Sequence, residues 1–332
     1  MNVSQYFRKT ARVELDGKKT NKFSSSSKRW LYAMAAMLAL ALPVLAADWI
    51  NRTSLPTALL GVNVNSINGT LYVAGGNNGG PHSSLYAYNP GSNSWSTLAP
   101  LPTALYEGES GVINSQLYYA GGWNTSLPTS SLYIYNPQSN SWAAGPSLSH
   151  LSASGIGGAI NGKLYVTTPS NGYNGYANLL DVYDPSAGTW TSLAPSNDAH
   201  NAGAGGVINS KLYVSTGIDN SNSPTSVTEV YDPVANTWTN LPSIPTPVAG
   251  PGSTASCGRL FVIGGNLQNG NITNLIQIYD PLKNTWTTAT NLPVANAALG
   301  ADVLNCFIFA VGGYNGTSPI ATNQALQGCY QP

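Results

Sequence analysis

Acids, bases and imidazoles are sparse in this 332-residue chain, which has 13 Lys or Arg, 13 Asp or Glu and three His. The few that occur therefore invite a chemical reading. Glu107 and Glu109 are separated by one residue, as are Asp198 and His200, and His82 and His150 complete the imidazoles. Two carboxyls at a fixed separation can divide the acid and base work of glycoside hydrolysis, and Glu107 with Asp198 is a pair that could do so. Imidazole suits copper, yet no histidine stands beside a tyrosine. Cys257, Cys306 and Cys329 contain no Cys-x-x-Cys and no zinc-ligand spacing. If Glu107 and Glu109 share a strand, alternation turns both side chains to the same face. Which of these groups meet depends on the elements that carry them.

Those elements are legible from a repeat. Trp49, Trp95, Trp142, Trp190, Trp238 and Trp286 are spaced by 46, 47, 48, 48 and 48 residues. Seven residues before all but the first stands a Tyr-x-Pro: Tyr88-Asn-Pro90, Tyr135-Asn-Pro137, Tyr183-Asp-Pro185, Tyr231-Asp-Pro233 and Tyr279-Asp-Pro281. Proline ends a strand because it has no N–H to give the ladder, and Asn or Asp before it favours a turn. Further upstream lie apolar runs closed by paired glycines, as in Leu71-Tyr-Val-Ala-Gly-Gly76 and Leu260-Phe-Val-Ile-Gly-Gly265. Asn-Gly or Asn-Ser turns of the hairpin type precede them. A period of this length filled with strand signals predicts an all-β propeller, one four-stranded blade per repeat. The sixth Tyr-x-Pro, Tyr330-Gln-Pro332, has no Trp after it, whereas Trp49 has no Tyr-x-Pro before it. Six blades follow if the strand around Trp49 becomes the outermost strand of the last blade and closes the ring, which removes exposed sheet edges.

The double glycine, the Tyr-Asp-Pro and the Trp seven residues after the Tyr resemble the kelch family over about residues 47–332. Thr168-Pro169 and Thr216-Gly217 depart from Gly-Gly, and altered connections between strands b and c are expected in blades three and four. The resemblance implies that the d–a and b–c loops open on one face of the ring, the face that usually holds a ligand, since loops on a rigid scaffold carry function. Carried over residue by residue, it places His150 before strand a of blade three, and Asp198 and His200 before that of blade four. Glu107 and Glu109 fall in the inner strand of blade two. The b–c loops add His82, Trp123, Tyr173, Tyr176 and Asp219. The expected contact set is Glu107, Trp123, His150, Tyr173, Tyr176, Asp198 and His200. Its aromatic members suit a neutral sugar or a polar peptide.

Related propellers set the alternatives. Galactose oxidase holds copper with two tyrosines and two histidines, plus a cysteine bonded to one tyrosine, a pattern this sequence lacks. Sialic-acid mutarotases are exported six-bladed kelch proteins, and a sugar carboxylate calls for an arginine clamp. Beyond the leader only Arg52 and Arg259 remain, and Arg259 maps to the opposite face. The adaptor kelch domains of ubiquitin ligases bind acidic peptides through arginines that are likewise missing. The reading is a binding or scaffolding propeller for a protein or neutral glycan, with no cofactor. The alternative is a carbohydrate-active enzyme of mutarotase or oxidase type.

The first 46 residues differ from the rest. Residues 1–30 carry eight of the Lys and Arg and two acids. An apolar run from Trp30 to Ala47 follows, broken only by Pro43, and Val44-Leu-Ala46 supplies small residues at its end. This is the layout of a secretory signal cleaved after Ala46. An uncleaved anchor, with the propeller outside, is the alternative for a run of 18 residues. The remaining 13 − 8 = 5 bases and 13 − 2 = 11 acids give a net charge of −6, which excludes non-specific nucleic-acid binding. Export would permit disulfides. Cys257 and Cys306 occupy the a–b turns of blades five and six, close to the channel, and are expected to pair, leaving Cys329 free.

Overall fold

The computed structural model describes residues 48–170 and 176–327. All strands among them belong to six four-stranded antiparallel sheets, lettered here a to d from the axis outward. The inner strands a are Asn63–Ile67, Glu109–Ile113, Gly157–Ile160, Ala204–Ile208, Gly252–Ser256 and Gly300–Leu304. Five blades follow chain order. In the sixth, Ile50–Asn51 lies beside Asn323–Gln327, outside Phe307–Val311 and Gly300–Leu304. Ile50 faces Ala325 and Asn51 faces Gln324. The N-terminal strand thus completes the last blade, as the unmatched ends of the repeat predict. Trp49 directly precedes this strand, and Tyr330 lies outside the described residues.

The repeat residues fasten each blade to its neighbour. Every repeat Trp donates its indole N–H to the carbonyl four residues past the preceding repeat Trp. Trp95 thus reaches Thr53 (2.8 Å) and Trp238 reaches Ala194 (2.9 Å). The series closes with Trp49 donating to Thr290 at 3.2 Å. The Tyr of each of the first five Tyr-x-Pro motifs lies against its own Trp, as for Tyr88 and Trp95 (5.0 Å between centroids). It also meets a ring from strand b of the preceding blade, as in Tyr135–Tyr72 (6.0 Å) and Tyr88–Phe309 (5.7 Å). Such pairs contribute roughly 0.5–1.5 kcal/mol beyond their buried area. The Tyr hydroxyl donates to an Asn two residues before the Trp, for example Tyr279 to Asn284 at 2.6 Å. Blade three has Gly188 at that place.

The paired glycines answer a close approach between blades. A Cβ on Gly264 would come 2.2 Å from the Asn296 carbonyl oxygen, and one on Gly75 2.4 Å from that of Leu105. The N–H of the second glycine bonds the same carbonyl, at 2.8 Å for Gly265 and 2.9 Å for Gly76. Blade four keeps this connection. Thr216 takes the first glycine's left-handed conformation (φ 55°), its hydroxyl donates to Val248 O, and Gly217 N–H donates there too. The altered connection expected in blade four is therefore not found. Blade three does change: its b and c strands lengthen to Lys163–Ser170 and Tyr176–Asp184, with a register shift between Thr168 and Ser170.

Candidate functional site

One residue per blade, just before or at the approach to each inner strand, adopts the left-handed conformation: Gly61, Glu107, Ser154, Ala202, Gly250 and Ala298, with φ from 49° to 62°. Each N–H donates to the carbonyl of its counterpart in the preceding blade, at 2.6 to 2.8 Å, and Gly61 N–H closes the circle on Ala298 O. These six bonds form a ring at the d–a loop end of an axial channel of about 450 Å³. Small inner-strand residues such as Gly157, Gly205 and Ser253 leave the channel open. A side chain in the left-handed region costs about 1–2 kcal/mol, and such strain gathers at functional sites.

Glu107 bears the longest side chain of the ring. It is not part of the inner strand, which begins at Glu109. The expected shared orientation of the two acids is therefore lost, because the left-handed turn at Glu107 breaks the alternation. Ser154 Oγ donates to Glu107 Oε2 at 2.5 Å and accepts the Trp123 indole N–H at 3.1 Å. Two expected contact residues are thereby joined through a third that was not singled out. The signal was present, since Ser154 holds the same repeat position as Glu107. Tyr106 and Trp123 also exchange backbone hydrogen bonds. Burial pushes the Glu107 carboxyl up, and the Ser154 hydrogen bond opposes this.

Glu109 instead enters the seam between blades two and three and is 1% exposed. Its Oε1 accepts from Ser152 Oγ and from Gly155 N–H, both at 2.9 Å. Oε2 has no hydrogen-bond partner among the described residues. A Cβ on Gly121 would lie 2.7 Å from this oxygen and 2.4 Å from the Ser152 carbonyl oxygen, so glycine leaves the space that the carboxyl fills. Burial raises the carboxyl to about 8, against the Ser152 and Gly155 hydrogen bonds.

The other expected contacts serve as loop tethers. His150 is half-exposed and its Nδ1 lies 3.3 Å from the buried Asp181 Oδ2. His200 is buried, with Nδ1 2.7 Å from Thr216 O and Nε2 3.1 Å from Glu229 Oε1. Both its ring nitrogens are engaged, so His200 offers no free nitrogen to a ligand. Burial alone would raise the Glu229 carboxyl, but hydrogen bonds from His200, Asn197 and Asp198 hold it below the usual range. Asp198 accepts from Ala199 N–H and Thr225 Oγ, and among the described residues it shares no hydrogen-bond partner with Glu107, its expected acid–base companion. Elsewhere the same tie is made by Thr57 with Tyr86, Thr103 with Tyr133 and Thr246 with Gln277. Polar variation at this repeat position is matched by variation in strand c.

Tyr173 lies outside the described residues, and Tyr176 opens strand c of blade three. The expected Cys257–Cys306 bridge is absent: Cys306 is a free, exposed thiol, whereas Cys257 is disulfide-bonded. Although both occupy a–b turns near the axis, adjacency of turns does not bring the thiols together. Cys329 lies outside the described residues. Among the described residues, no three of His, Cys, Asp and Glu assemble as a metal set.

The sequence matches the family described as Attractin/LZTR1 beta-propeller over residues 71–319. No curated protein matches it. Among solved structures it is similar to one described as "Structure of YjhT", with TM-score 0.73 and 19% identity over 83% of this chain and 96% of that one. At that identity the likeness establishes the fold alone. With 902 solved chains matching, the architecture is too widely shared to specify a ligand.

Proposed function

Because the chain belongs to the Attractin/LZTR1 beta-propeller family, a kelch-type fold, we propose that it is an exported binding or scaffolding propeller. Its ligand, a protein or a glycan, docks on the d–a and b–c loop face at the channel mouth. The observation that carries this reading is the Glu107–Ser154–Trp123 hydrogen-bonded chain at the rim of the channel. It combines a carboxyl and a large half-buried aromatic ring, neither of which the blade clasps require. His150 can extend the surface at blade three. Asp198 and His200 support it through the blade-four loop.

Trp123→Ala is expected to cost about 1 kcal/mol of thermal stability, the worth of the one side-chain hydrogen bond that the ring makes to Ser154 of the next blade. Affinity for a ligand found on a peptide and glycan array should fall by roughly 2 kcal/mol, the effect of an interface anchor. Unchanged affinity in calorimetry would move the site elsewhere. Export rests on the leader sequence. N-terminal sequencing of the exported protein is expected to begin at Ala47 or Asp48, and an intact leader in the membrane fraction would instead indicate an anchor.

A further inference from the structure

The chemistry of the mouth narrows the ligand. Glu107 lies at the loop end of the channel and Asp302 on its wall, and no Lys, Arg or His among the described residues lines it. Three of the five cations beyond the leader are tied elsewhere, in the pairs Lys163–Asp184, Lys211–Asp232 and Arg259–Asp280. Carboxyls in a walled channel focus a negative field. Ser154 directs its one hydroxyl proton to Glu107 Oε2 and occupies the only N–H of the Trp123 side chain. What Trp123 has left to offer is its π-system, and Glu107 Oε1 accepts no hydrogen bond among the described residues. A saccharide hydroxyl network would need several free donors and acceptors, and this trio keeps one free acceptor beside an aromatic surface. Carboxylate plus indole is a good complement to a cation.

We propose that the channel mouth recognises the positively charged side chain of a basic peptide segment, with Glu107 as counter-charge, Trp123 as aromatic wall and Ser154 as the residue that positions both. This rests on the loop-face reading above and specifies its ligand class.

The probes are acetylated, amidated Gly-Gly-Lys-Gly-Gly, its norleucine counterpart, butylammonium chloride and cellobiose, titrated into the exported protein by NMR. The lysine peptide is expected to bind roughly tenfold or more tightly than the norleucine peptide, with affinity falling as salt rises. Butylammonium is expected to compete, weakly if peptide backbone contributes and fully if the amine alone suffices. Glu107→Gln should remove the preference for lysine. Glu107→Gly serves as a second variant, because it places at φ 52° the residue that prefers that conformation. Ser154→Ala should weaken lysine binding and Ser154→Thr should restore it, which a merely structural role would not require. Equal binding of the lysine and norleucine peptides, no binding of the lysine peptide, or a lysine preference that survives Glu107→Gln overturns the inference. Cellobiose bound at the mouth irrespective of Glu107→Gln overturns it too but leaves the binding reading standing. Absence of any array ligand from the loop face would remove that reading.

Discussion

Deleting residues 47–56 should abolish a soluble monomeric propeller. The deletion removes Ile50–Asn51 and exposes Asn323–Gln327 as an open edge. It also removes the Trp49 bond to Thr290 and the Thr53 carbonyl that receives the Trp95 indole N–H. Thr53 makes two further hydrogen bonds, to Asn93, and Leu55 leaves the core between blades six and one. One hydrogen bond contributes about 1 kcal/mol, and a buried leucine about 2 kcal/mol or more. The summed loss is on the order of the 5–15 kcal/mol stability of a typical protein, and the bare edge invites aggregation. Size-exclusion chromatography with thermal unfolding reads the result. A monodisperse product with unchanged Tm would show that the ring does not depend on this strand.

The second large effect is a loss of stability with rising pH, cancelled by Glu109→Gln. In the fold the Glu109 carboxyl is raised from an ordinary 4.5 to about 8. The folded protein therefore holds this proton where the unfolded chain releases it. The contribution is fully present below about pH 4.5 and is lost as pH climbs through about 8. Each tenfold change in proton affinity is about 1.4 kcal/mol, so the loss is on the order of 5 kcal/mol. Glutamine can still accept from Ser152 and Gly155 and never ionises. Its Tm should match wild type near pH 5 and exceed it at pH 9 by roughly 5 °C or more. Parallel Tm profiles would contradict the buried, protonated state.

The ring was legible because its determinants are periodic. The Trp spacing set the blade number, and the unmatched ends at Trp49 and Tyr330 located the closure. The indole clasps explain why the spacing carries so much: each Trp must reach a carbonyl at a fixed place in the previous blade. The site was harder to read because its groups are exceptions to the period. Glu107 stands where the other repeats carry Gly61, Ser154 and Ala202, and that shared position is the left-handed turn that separates it from Glu109. His150, Asp198 and His200 looked like free loop groups. Their partners Asp181, Thr225 and Glu229 come 27 to 31 residues later in the chain, roughly one strand pair on. The signal was a paired substitution: Asp181, Glu229 and Gln277 stand 48 residues apart where the first two blades carry Tyr86 and Tyr133. At Thr216 the sequence departure did not become a structural one, because its hydroxyl replaces lost contacts while its backbone keeps the glycine's conformation.

Hydrogen exchange with a bound array ligand tests the central claim most directly. Protection is expected in residues 106–110, 121–129 and 152–156, which carry Glu107, Trp123 and Ser154 at the channel mouth. Protection confined to the a–b turns on the other face, such as those holding Cys257 and Cys306, would contradict it.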